Sequence, residues 1–201
     1  MSARDFSYGT LGDMKPLARA ARSLGGISIP APSIAAIALG ANLPSRVGDP
    51  ASTLHAAIDS LGRLPLTTLL GVSRFVVTPA EGPGSSGQPP YVNACAALRT
   101  MLTPRGLLAM LLEIERAFGR ERRPNGRNLA RTLDLDLVLY DDMVASDDGT
   151  TPALELPHSR MHQRVFVLGP LAQLLPDMVV PGSAARGRTV RELLDALANH
   201  A

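Results

Sequence analysis

Tryptophan is absent from this chain, and cysteine and lysine occur once each, at Cys95 and Lys15. A single thiol excludes an intrachain disulfide and a cysteine-built zinc site, and it points to a reducing, cytoplasmic compartment. Aromatic residues make up only 3 % of the chain. Nucleic acid on a small sheet is normally held by stacking bases on aromatic rings, so this scarcity argues against such a partner. A formal net charge of only +2 over 201 residues argues the same way. No apolar run reaches the roughly 20 residues a membrane span requires, and the N-terminus lacks the basic-then-apolar order of a secretory signal. What the chain does have is 45 % hydrophobic residues, enough to bury the core of one domain of ordinary size.

Residues 1–33 mix Gly, Ser, Pro and Arg with little periodicity. They read as a flexible N-terminal extension in which 16–24 could form a short helix. Residues 34–201 read as the functional domain. The apolar run 34–40 (IAAIALG) suits a buried strand. Asp49-Pro50 and Thr103-Pro104 each supply a cap and a first-turn proline for a helix, and Gly62 and Gly119 mark the stops. Strands are predicted at 68–77, 91–100 and 133–140, with a Gly/Pro/Ser-rich loop at 80–90 and an arginine-rich loop at 120–131. A helix is predicted over 164–175 despite Pro170, and Thr189 with Glu192 can form a capping box for a last helix ending near Ala198. The order strand, helix, strand, strand, helix, strand predicts an α+β, ferredoxin-like βαββαβ fold: an antiparallel sheet with helices packed on it and extra C-terminal elements.

The sharpest chemical feature is Asp134-Leu135-Asp136 within the strand 133–140. Alternation along a strand puts both carboxylates on one face, roughly 6–7 Å apart at the backbone, with Leu135, Leu137 and Leu139 turned to the core. Alone, the pair has two readings: a solvated polar face, or a seat for magnesium, which takes a few carboxylates and completes its shell with water and substrate phosphates. The preceding segment carries Arg116, Arg120, Arg122, Arg123, Arg127 and Arg131. Guanidinium forks match phosphate oxygens, so the cluster is either a solvated loop or a triphosphate clamp beside the aspartates. His158 follows in 157–164 (PHSRMHQR), where a surface histidine and a ligand contact are both open readings. No Walker-type lysine loop and no protein-kinase catalytic loop is present, so a bound nucleotide would be held by another route.

Together the segments ALGAN (38–42), TPAEGP (78–83), PYVNA (90–94), EIERAFGRER (113–122), RTLDLDLVLY (131–140) and PHSRMHQRVFVLGPL (157–171) resemble the 6-hydroxymethyl-7,8-dihydropterin pyrophosphokinases, in that family's order. The resemblance covers about 34–181. It implies pyrophosphoryl transfer from ATP to the hydroxymethyl group of the dihydropterin, with AMP as coproduct and two magnesium ions. Asp134 and Asp136 would then be the metal ligands. Arg120 and Arg131 would hold the transferring phosphates, and Asp136 would help take up a proton. Glu115, Arg122, Arg127, Leu137, His158, Ser159 and Arg164 would belong to the ATP site alongside Arg120 and Arg131. Thr78, Pro79, Glu81, Tyr91, Asn93 and Phe166 would form the pterin pocket, Tyr91 and Phe166 sandwiching the ring. Implied partners are the two small substrates alone, with no nucleic acid or membrane, and a monomeric, cytoplasmic state.

The chain departs from the family pattern at Asn128, where an aromatic residue is common, at Ser159, where a tyrosine is, and at Ala80-Glu81 in place of a proline and an apolar residue. Two other readings stand beside the enzyme: a ferredoxin-like RNA-binding module, and an inactive family member with a scaffold role. Retention of Asp134, Asp136, Arg120 and Arg131 opposes the last.

Overall fold

The computed structural model describes residues 22–24, 27–29, 31–82, 85–120, 129–182, 185 and 187–199. Its main sheet has five strands: β3 (Ser33–Ala41), β4 (Thr67–Val72), β5 (Val76–Thr78), β6 (Tyr91–Thr100) and β7 (Asp134–Tyr140). The order β4-β6-β3-β7, with β5 also paired to β6, is antiparallel throughout. Helices α1 (Pro50–Leu61) and α2 (Pro104–Ala117) cover one face, while α3 (Val165–Leu174) and α4 (Val190–Ala198) cover the other. The α+β expectation holds, and the C-terminal elements supply the cover for the second face. That face needs cover because Ala36, Cys95, Ala97 and Val138 line it, all at or near 0 % exposure.

The helix ends follow the sequence signals. Asp49 accepts a hydrogen bond from the Ser52 N–H at 2.7 Å, and Thr103 caps α2 through the Gly106 N–H at 3.1 Å. The capping box of α4 forms between Thr189 and Glu192. Gly119 adopts φ +83°, the left-handed region open to glycine. The N–H of Gly119 donates to the Arg116 carbonyl, and that of Arg120 to the Glu115 carbonyl at 3.1 Å. This is a Schellman closure, and it turns Arg120 back over the last turn of α2. Gly62 ends α1 with a right-handed φ of −66°, so only its position, and no left-handed cap, matches the expectation.

Three expectations are corrected. Residues 22–24, placed at the end of a helix, are strand β1 (Arg22–Leu24), which pairs with β2 (Ile27–Ile29) in a separate two-stranded sheet. The strand predicted over 68–77 divides into β4 and β5. The Ser73 hydroxyl accepts the Cys95 N–H at 2.9 Å, which replaces a ladder bond, and the following turn lets the Phe75 ring meet His55 on α1. Leu139 does not share a face with Leu135 and Leu137. Ala36 pairs with Leu139 and Ile37 with Leu137, so Val138 is an extra residue in β7. This bulge moves Leu139 to the α3/α4 side. Among the described residues no helix is long and apolar enough to cross a membrane.

Candidate active site

The site forms on the α3 face, where one row of paired residues crosses the sheet. Val76 on β5 pairs with Asn93 on β6, Asn93 with Gly40 on β3, and Gly40 with Asp134 on β7. Strands are spaced about 4.8 Å apart, which puts Asn93 and Asp134 roughly 10 Å apart across Gly40. Glycine at this crossing keeps the floor low. A Cβ on Gly40 would lie 3.2 Å from Asn93 Oδ1 and 3.7 Å from Tyr91 Cδ1.

Asp134 and Asp136 do share this face, with Leu135 and Leu137 buried behind them in the α1/α2 core. The Asp134 carboxylate accepts hydrogen bonds on one oxygen from Arg120 and on the other from Arg131. Arg120 also pairs with Glu115, whose buried carboxylate accepts the Leu135 N–H at 2.8 Å. Burial alone would raise the Asp134 carboxyl, but the two guanidiniums outweigh it and hold the group below the ordinary carboxylate range. Asp136 goes the other way. Burial and then the charge of Asp134 raise it, with His158 and Arg164 opposing. Its side chain remains 38 % exposed, and His158 Nε2 stands 3.9 Å from its Oδ2. The bulge helps to place that histidine, because the His158 N–H donates to the carbonyl of Val138 at 2.9 Å.

Beside the carboxylates lies a cavity of about 120 Å³. Tyr91 and Phe166 line it, with Thr78, Asn93, Arg131 and Asp134. Asn93 donates to the Thr78 hydroxyl at 2.9 Å, which fixes the amide so that its oxygen faces Gly40. The Tyr91 hydroxyl donates to the carbonyl of Leu129 at 3.1 Å. The Arg164 guanidinium rests 5.4 Å from the Phe166 ring centroid.

The expected residues thus divide by position. Thr78, Pro79, Glu81, Tyr91, Asn93, Arg131, Asp134, Arg164 and Phe166 border one cavity, with Arg120, Asp136 and His158 bound to or beside its carboxylates. Glu115 lies beneath, its side chain 2 % exposed. Leu137 faces the opposite core, and Ser159 is exposed on the turn before α3. Arg122, Arg127 and Asn128 lie outside the described residues.

Sequence reasoning missed Asn42 as a participant. It is 1 % exposed, and its amide oxygen accepts the Arg131 N–H at 2.7 Å. Its amide nitrogen donates to the Pro89 carbonyl at 3.1 Å and to Gln88 Oε1 at 3.3 Å. One side chain therefore ties the loop before Tyr91 to the arginine on Asp134. No local signal marks an asparagine for this, since every one of these partners is remote in sequence.

Among the described residues no group of three or more His, Cys, Asp or Glu side chains could enclose a metal. Two carboxylates on one strand face still fit magnesium, which draws its remaining ligands from water and phosphates. The elevated Asp136 beside a charged Asp134 is an environment that a cation would relieve.

Residues 36–176 match the model of the 7,8-dihydro-6-hydroxymethylpterin-pyrophosphokinase (HPPK) family. The chain is 41 % identical over 160 residues to a 2-amino-4-hydroxy-6-hydroxymethyldihydropteridine pyrophosphokinase of Pseudomonas aeruginosa, covering 80 % of this chain and 89 % of that one. It is 38 % identical over 164 residues to the protein of the same name from Haemophilus influenzae, covering 82 % and 92 %. The fold is similar to a Plasmodium falciparum HPPK-DHPS triple mutant with a TM-score of 0.62 at 12 % identity. That likeness covers 84 % of this chain and 45 % of the longer one, so this chain spans less than half of the two-part protein.

Proposed function

The chain belongs to the 7,8-dihydro-6-hydroxymethylpterin-pyrophosphokinase family, and from that premise we propose that it transfers pyrophosphate from ATP to the hydroxymethyl group of 6-hydroxymethyl-7,8-dihydropterin, a step of folate biosynthesis. The observation that carries this reading is the row across the sheet. An amide that can read a heterocycle edge, a glycine floor and a carboxylate held by two arginines follow one another within the reach of one small substrate.

The pterin ring lies between Tyr91 and Phe166, its edge against Asn93 and Thr78, with Pro79 and Glu81 at the rim. That orientation points the hydroxymethyl group along Gly40 toward Asp134 and Asp136. The hydroxyl oxygen attacks the β-phosphorus of ATP. A new O–P bond forms, the bond from that phosphorus to the bridging oxygen breaks, and AMP leaves. Phosphoryl chemistry of this kind rests on positioning and charge, which is what fixed guanidiniums supply. Arg120 and Arg131 are already ordered by Asp134, Glu115 and Asn42, so little reorganisation is needed as charge develops. Asp136, the more open carboxylate, takes up the hydroxyl proton directly or through water. His158 and Arg164 face the nucleotide. Arg122, Arg127, Ser159 and the backbone at Leu137 complete its binding, and Glu115 contributes by holding Arg120.

Asp134 and Asp136 would hold magnesium, two ions in the full reading, which when bound neutralise phosphate charge. The single thiol, buried in the fold, fits a cytoplasmic protein, and a monomer is the state proposed with it. The test is AMP release from ATP with and without magnesium and the dihydropterin. AMP that needs both and is lost in Asp136→Ala supports the reading. No AMP from folded protein under those conditions overturns it.

A further inference from the structure

Two further guanidiniums, Arg160 and Arg164, stand at the rim of the cavity. Glu115, Asp134, Arg120 and Arg131 are joined by ion pairs, Arg120 to both carboxylates and Arg131 to Asp134. Arg160 and Arg164 border the same cavity as Arg131 and Asp134, and among the described residues neither forms an ion pair with a carboxylate. They flank the single 3-10 turn Met161–Gln163 that leads into α3. Met161 is 1 % exposed in the core, the Gln163 N–H donates to the Arg160 carbonyl, and the Arg164 N–H to that of Met161, both at 3.2 Å. The turn is therefore a fixed mount, and it presents both guanidiniums to one side. At Arg164 burial and then the neighbouring charge of Arg160 depress the pKa, with Asp136 and Asp134 opposing. Two guanidiniums at the rim of one cavity, neither in an ion pair among the described residues, suit an anion that offers several oxygens, and guanidinium forks match phosphate oxygens.

Resting on the pyrophosphokinase reading above, we propose that Arg160 is a further substrate-binding residue that, with Arg164, grips the diphosphate group being transferred. The cavity decides which phosphates are meant. It is also bounded by Tyr91, Asn93 and Phe166, so a group held by Arg160 there is the one that ends on the pterin rather than the one that departs with the nucleoside. Arg160 is exposed in the structure described. If it were only a solvated surface arginine, its removal would change neither ligand's affinity.

The experiment measures binding of 6-hydroxymethyl-7,8-dihydropterin and of its diphosphate, with magnesium, to wild type, Arg160→Ala and Arg160→Lys. The expected result is an Arg160→Ala affinity for the diphosphate about tenfold weaker with the alcohol unchanged, and a partial recovery in Arg160→Lys, which restores charge without the fork. Unchanged affinity for both ligands overturns the proposal. So does an equal loss for both, which would mark a structural effect. A wild-type protein that turns over substrates normally while Arg160→Ala behaves as wild type sinks Arg160 alone. A wild-type protein that neither turns over nor prefers the diphosphate sinks the pyrophosphokinase reading and this proposal with it.

Discussion

The amide oxygen of Asn42 accepts the backbone N–H of Arg131 at 2.7 Å, across a sequence separation of 89 residues, and the Arg131 carbonyl accepts the Asn42 N–H in return at 3.0 Å. The end of β3 and the arginine that holds Asp134 are thereby one unit. Asn42→Ala removes the side-chain bonds from a buried position and leaves the Arg131 N–H without its acceptor. The expected cost is about 2 kcal/mol of stability, read from the urea midpoint. A fall in kcat larger than the stability loss explains should accompany it, because Arg131 is then less well ordered.

Gly40 sets the depth of the cavity floor. With a Cβ of Gly40→Ala 3.2 Å from Asn93 Oδ1, the amide must move. Affinity for the dihydropterin is expected to weaken about tenfold, and ATP affinity to stay within about twofold. Calorimetric titration with each substrate separates the two.

Glu115 holds both the Leu135 N–H and Arg120. Glu115→Ala leaves a largely buried guanidinium short of a partner and is expected to cost about 3 kcal/mol. Glu115→Gln keeps an acceptor for Leu135 and should recover most of the stability while still lowering the rate, since Arg120 loses a charge partner. Denaturation and steady-state kinetics on the two variants test this split.

Burial pushes the Cys95 thiol up from its ordinary 9.0 to about 12. The folded chain therefore keeps the thiol neutral where the unfolded chain would ionise it. This contribution to stability is complete below pH 9 and is lost as pH rises from 9 toward 12. The native protein should not react with a thiol reagent at pH 8 but should react on unfolding, and its midpoint should decline above pH 9.

Local chemistry determined much of this protein. Asp49-Pro50, Thr103-Pro104 and Thr189 with Glu192 start helices through bonds spanning three residues, and Gly119 turns left-handed as its place after a helix requires. Strand alternation places Asp134 and Asp136 on one face, and the six quoted segments were enough to indicate the family. Tertiary structure decided the rest. The Val138 bulge, which turns Leu139 to the other face and offers a carbonyl to His158, depends on how β7 meets β3. Ser73 breaks a long β-branched run because Cys95 lies opposite. Asn42 and Arg160 look like ordinary polar residues in the sequence. Their roles arise from partners and neighbours far along the chain, and no rule of period, capping or turn reaches across such distances.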